Sequence, residues 1–141
     1  MGVFSDRSTL AYASAVELQG LIELDLGHPQ LALESFQQAY NCRAALLPAN
    51  DSFLAASFVE IGLAYTEIGD LEKAHEHLQR SIDIRLEAKS DRIGNSYSNM
   101  ASLLLRMGKA DSAEEMLKRC PSLKDFTDDT FLKTGNPRFS G

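Results

Sequence analysis

The side chains able to do chemistry are few and poorly spaced for it. The natural metal ligands are three histidines, His28, His75 and His77. His75 and His77 are two residues apart, which points them in different directions on a helix. His75 falls near a packing face and His77 on the solvated side, while His28 sits in a turn before Pro29. Cys42 and Cys120 lie far apart in no metal-like spacing, and burial as small apolar residues accounts for them. Asp125, Asp128 and Asp129 surround Phe126 but lack the alternating oxygen pattern of a calcium loop, and they fit a helix start. No glycine-rich phosphate loop, dinucleotide fingerprint or nucleophile elbow is present. These residues assign no catalytic group, no metal and no cofactor, and the chain is expected not to be an enzyme.

What the sequence does contain is repetition. The run Ala55, Phe58, Ile61-Gly62, Tyr65, Gly69, Ala74, Leu78, Ser81 has a counterpart 42 residues earlier: Ala13, Val16, Gln19-Gly20, Glu23, Gly27, Ala32, Phe36, Ala39. A third copy lies 39 residues later: Gly94, Tyr97, Met100-Ala101, Leu104, Gly108, Ala113, Leu117, Cys120. Arg43 and Arg85 coincide as well. Each copy reads as helix, tight turn, helix. In the middle copy Asp51 can cap a first helix over Ser52 to Ile68, with apolar residues at Phe58, Ile61, Tyr65 and Ile68. Gly69 ends that helix in a left-handed conformation and Asp70 caps the next. The second helix should bury Leu71, Ala74, Leu78, Ile82 and Leu86. Gly27 and Gly108 are the matching stops, and Pro29 fits the first turn of its helix. Gly20, Gly62 and Ala101 sit in mid-helix, where Gly costs about 1 kcal/mol relative to Ala. That cost is understandable if Ala32, Ala74 and Ala113 of the paired helices cross there at close range.

This pattern resembles the tetratricopeptide repeat, with its small residue, aromatic, glycine and two alanines at fixed places. The middle copy fits best, through Gly62, Tyr65, Gly69 and Ala74, with Leu78 where an aromatic is usual and Ser81 for the last alanine. The first copy departs at Glu23, where an aromatic belongs, and the third mildly at Ala101, Leu104 and Cys120. The resemblance covers about residues 12–120 and implies an all-α fold. That fold is a right-handed solenoid of about three antiparallel helical hairpins plus a short C-terminal helix or tail. The repeats span about 8–50, 51–90 and 91–120, with a tail over 121–141. The ordinary repeat has 34 residues; the longer spacing here places extra helix in Tyr40 to Asn50 and Ile82 to Ser90. A long repeat resembles the kinesin-light-chain-like class found in fungal and bacterial signalling proteins, which implies that the chain is a fragment of something larger.

The resemblance also implies a site. First helices of such repeats line a concave face that holds a peptide or protein. The corresponding positions here are Ser14, Glu17, Leu21, Leu24 and Asp25, then Ala56, Val59, Leu63, Thr66 and Glu67, then Asn95, Ser98, Ser102, Leu105 and Arg106. Leu21, Leu24, Val59 and Leu63 would give this wall an apolar strip. Asn95 and Asn99, four apart, can either grip an extended backbone or bond within the stack. Arg43 and Arg85 can pair with an acid of a neighbouring repeat or meet a ligand, the former being favoured. The basic clamp by which some members hold a chaperone's terminal carboxylate is missing, because Glu17 and Leu21, and Val59 and Leu63, stand where lysine and asparagine are needed.

Charge narrows the partner further. The net charge is −6, with −3 in residues 1–50, −4 in 51–90 and +1 in 91–141. An acidic body disfavours nucleic acid and anionic membrane as partners. No apolar run is long enough to span a bilayer, and Met1 to Leu10, with Asp6 and Arg7, has no signal-peptide core. An intracellular, cytoplasmic location is expected. The function expected is a non-catalytic interaction scaffold, possible alternatives including an oligomerisation module working through its stacked ends. Leu123, Phe126 and Phe131 are expected to form a partial cap, with weak self-association at that end.

Overall fold

The computed structural model describes residues 9–120. Six helices occupy them: α1 (Leu10–Asp25), α2 (Pro29–Leu46), α3 (Ser52–Ile68), α4 (Leu71–Glu87), α5 (Ile93–Arg106) and α6 (Ala110–Lys118). There is no strand among the described residues. The expected tail helix, the aspartates around Phe126 and the start of the chain lie outside them. The fold is the expected all-α set of helical hairpins, and the chain divides into two compact units, residues 1–90 and 91–141. In the first unit α1 pairs with α2 and α3 with α4, and α2 packs on α3; in the second α5 pairs with α6.

Local chemistry sets the helix ends. The Asp51 carboxylate accepts from the Phe53 N–H at 2.8 Å, and the Asp70 carboxylate from the Lys73 N–H at 3.2 Å. Both satisfy donors that a helix start leaves open. Gly69, at φ 101°, turns the chain between α3 and α4, and its N–H bonds back to the Tyr65 carbonyl at 2.9 Å. Gly27 and Gly108 do the same work in the other hairpins, at φ 85° and 76°. Pro29 opens α2, where its missing N–H is harmless. With 18 and 17 residues, α2 and α4 are the long second helices that the repeat length requires.

Close approach decides the two mid-helix glycines. A Cβ on Gly62 would stand 2.8 Å from Leu78 Cγ and 3.3 Å from the Ala74 carbonyl oxygen. One on Gly20 would stand 2.6 Å from the Phe36 ring. Ala32, Ala74 and Ala113 are buried, as are Phe36 and Leu78. One expected core position fails. Leu86 is 52% exposed, whereas Arg85 beside it is buried. Steps of four residues advance 40° past a full turn, so by Leu86 the stripe has rotated about 80° away from Leu78, while Arg85 stays within about 20° of it.

Candidate functional site

Beside the first-helix face of the N-terminal unit lies a charged cluster that joins three helices. Arg43 of α2 is only 2% exposed. Its guanidinium forks onto Glu17 of α1, with Nη1 donating to Oε2 at 3.0 Å and Nη2 to Oε1 at 3.1 Å, and Nη1 also donates to Ser57 Oγ of α3 at 3.2 Å. The bidentate geometry is the strong form of this pair. The ring of Phe53 lies 5.2 Å from the same guanidinium. The expected pairing of Arg43 with an acid is therefore present, but the acid belongs to its own hairpin; the link to the neighbouring repeat is Ser57.

Glu60 of α3 completes the cluster, and sequence reasoning overlooked it. Its carboxyl hydrogen-bonds that of Glu17. Burial, the shared hydrogen bond and the Glu17 charge push the Glu60 carboxyl up to about 9, with Arg43 opposing. Burial would raise Glu17 too, but the hydrogen bonds from Arg43 and Glu60 and the Arg43 charge outweigh it and hold Glu17 below its ordinary value. At neutral pH the pair shares one proton, so one arginine balances one carboxylate. The only signal for this in the sequence is an acid, Glu60, falling where Leu18 stands in the copy 42 residues earlier.

The other expected ligand-facing residues divide by exposure. Leu21, Asp25 and Glu67 are exposed, and Leu63 and Ala56 are half-buried. Leu24 packs partly into the core formed by Ala32, Phe36, Ile61 and Ala64. Val59 and Thr66 are buried, and the Thr66 hydroxyl donates to the Gly62 carbonyl at 2.8 Å. Neither presents a side chain to a partner, because both lie within about a turn of Gly62, where the helices approach closely. Glu17 is occupied by Arg43. In the second unit Ser98, Ser102, Leu105 and Arg106 are exposed. The Asn99 amide donates to the Asn95 carbonyl at 2.9 Å and to its side-chain oxygen at 3.3 Å, so these residues bond to each other along their helix.

Two further contacts revise single-residue expectations. Glu23, at the aromatic position of the first copy, accepts from Ser35 Oγ at 2.6 Å. The matching pair one repeat later is Tyr65 and His77, whose rings lie 5.3 Å apart. A polar pair and a ring pair fill the same place. His77 is thus half-buried against Tyr65 and not freely solvated, with Nδ1 2.8 Å from the Lys73 carbonyl. On the side of the second helices, a cleft of about 560 Å³ has Tyr40 and Phe58 on its floor and Arg80 and Asp83 at its rim. The two rings are 4.8 Å apart and the Arg80 guanidinium lies 4.4 Å over Phe58. Among the described residues no group of three or more His, Cys, Asp or Glu could hold a metal ion, and no helix is long and apolar enough to cross a membrane.

Comparison with known proteins agrees with this architecture. The tetratricopeptide repeat profile matches residues 12–87 and 53–120. The chain belongs to the tetratricopeptide repeat family, whose repeats typically mediate protein–protein interaction and are generally not catalytic. A curated relative, response regulator aspartate phosphatase E of Bacillus subtilis (strain 168), is 25% identical over 109 residues, which are 77% of this chain and 29% of that protein. Among solved structures, BtubC (BKLC) from P. vanneervenii superposes with a TM-score of 0.76 at 16% identity, over 87% of this chain and 50% of that one. A putative kinesin light chain from Podosopora anserina, with nearly identical TPR-like repeats, gives 0.72 at 19% identity, over 89% and 61%. The chain spans less than two thirds of each of these proteins.

Proposed function

We propose that this chain is a non-catalytic scaffold that holds a peptide or protein segment against the first-helix face of its N-terminal unit. The observation that carries this reading is the juxtaposition of apolar and acidic groups there. Leu21 is exposed next to Leu24 and Asp25 on α1, and Leu63 is half-exposed next to Glu67 on α3. The hydrogen bond between Glu17 and Glu60 brings these two helices side by side. The Arg43 fork, buried beneath, fixes their spacing. Such a wall suits an extended segment with aliphatic anchors flanked by lysine or arginine, since opposite charge favours encounter and register while apolar burial supplies affinity. Ser98, Ser102 and Arg106 offer the C-terminal unit a separate polar surface of the same kind.

The test is a double variant, Leu63→Glu with Glu67→Arg, in a capture experiment with the full chain as bait. Circular dichroism on the same samples checks that helicity is kept. A partner retained by the wild type and lost by the variant supports the reading. A partner retained equally by both removes the site from this face.

A further inference from the structure

Helix α1 is apolar around most of its circumference, and only part of it is used. Its inner side, Ala13, Val16 and Gly20, is buried in the hairpin. A second stripe, Ala11, Ala15, Leu18, Ile22 and the C-cap Leu26, is exposed, with Leu18 at 58%, Ile22 at 52% and Leu26 at 65%. Large apolar residues in a row at helical spacing on a surface mark a contact. The repeat itself says what kind. The equivalent positions of α3, 42 residues on, are Ser57, Glu60, Ala64 and Ile68. Ser57 and Ala64 are buried, Glu60 and Ile68 half-buried, and this side of α3 meets α2, whose Arg43 donates to Ser57. The exposed stripe of α1 is therefore the same helix-packing surface, with no described helix on it.

From this stripe we infer that α1 docks a second copy of this chain, in a two-fold antiparallel pairing of the two α1 helices. A helix with the chemistry of α2 does not fit. It would bring an arginine against Ala15 and Leu18, where α3 has Ser57 and Glu60, and that charge would be buried without a partner. The stripe requires an apolar helix, and α1 is one. An isologous contact also requires self-complementarity. With the axis between Leu18 and Gln19, Ala15 faces the other copy's Ile22 and Ala11 faces its Leu26, so small residues receive large ones. Leu18 lies at the axis beside its own mate. The acids of α1 then face neutral residues: Glu17 opposite Gly20, Glu23 opposite Ser14 and Asp25 opposite Tyr12. A parallel in-register pairing would set every acid against itself. The stripe is about 22 Å long at 1.5 Å per residue. One helix pair of that length is small beside the roughly 1,200–2,000 Å² of standard stable interfaces. The dimer is accordingly weak and concentration-dependent, with dissociation on the order of micromolar.

Sedimentation equilibrium of the full chain over a range of concentrations tests the pairing. The wild type should move from 15.5 kDa towards twice that mass. Leu18→Glu with Ile22→Glu should raise the dissociation constant at least about 30-fold, with an unchanged far-ultraviolet spectrum, because both positions are exposed. Ala15→Leu separates interdigitation from general stickiness: it adds apolar surface yet fills the place of the other copy's Ile22, so it should weaken the dimer. A wild type that stays monomeric at every concentration overturns the inference. So does a dimer indifferent to the double glutamate variant, or one strengthened by Ala15→Leu.

Discussion

Glu60→Gln should make the protein more stable at alkaline pH and leave it nearly unchanged near pH 5. Folding places the Glu60 carboxyl among Glu17, Arg43 and Ser57, and burial, then the bond and charge of Glu17, raise it from the ordinary 4.5 to about 9. Between those two values the folded chain keeps a proton that the unfolded chain has released. Stability therefore falls as pH rises through this window, by at most about 1.4 kcal/mol per pH unit. Three units, from pH 5 to pH 8, give an upper limit of about 4 kcal/mol. Glu60 remains partly open to solvent, which screens the cost, so about 2 kcal/mol is the working figure. Glutamine is nearly isosteric, stays neutral and can donate to Glu17 as the protonated acid does. The advantage of the variant should grow from near zero at pH 5 to about 2 kcal/mol at pH 8. Glu17 acts in the opposite sense. Held below its ordinary value, it adds stability that is lost as pH falls below about 4.5, outside the tested range. Urea unfolding followed by circular dichroism at four pH values measures both proteins. Profiles that run parallel from pH 5 to pH 8 would refute the shared-proton cluster.

Two other substitutions probe the hairpins. Gly62→Ala should lose about 1 kcal/mol: the helix gains about 1 kcal/mol from alanine, but a Cβ 2.8 Å from the buried Leu78 should cost about 2 kcal/mol. A variant more stable than the wild type in urea would show that Leu78 moves aside freely. Asp51→Ala removes the acceptor for the Phe53 N–H and should cost about 1 kcal/mol, with Asp51→Asn recovering most of it. Equal stability of the alanine and asparagine variants in thermal melts would remove Asp51 from the cap.

The sequence by itself determined the hairpins. Asp51, Gly69, Asp70, Pro29 and the left-handed Gly27 and Gly108 act on backbone groups a few residues away, so their chemistry is readable without knowing what lies across the fold. Gly62 with Ala74 was also legible, because a glycine in mid-helix is unfavourable unless another helix comes close. What only the tertiary structure decided depends on the neighbouring helix. Periodicity tells which side of α3 enters its own hairpin, but not that Glu60, on another side, meets Glu17 and shares its proton. It marks Val59 and Thr66 as members of a face, but not that close helix approach buries them. The repeat aligned Arg43 with Arg85, yet the partner of Arg43 depends on Glu17 and Ser57 arriving from two other helices. His77 leaves solvent only because Tyr65 stands across the hairpin, and Leu86 reaches solvent because a four-residue step outruns the helical turn. Short-range bonding is written in adjacent residues; the electrostatics of a buried cluster arises only when separate helices bring their charges within a few ångströms of one another.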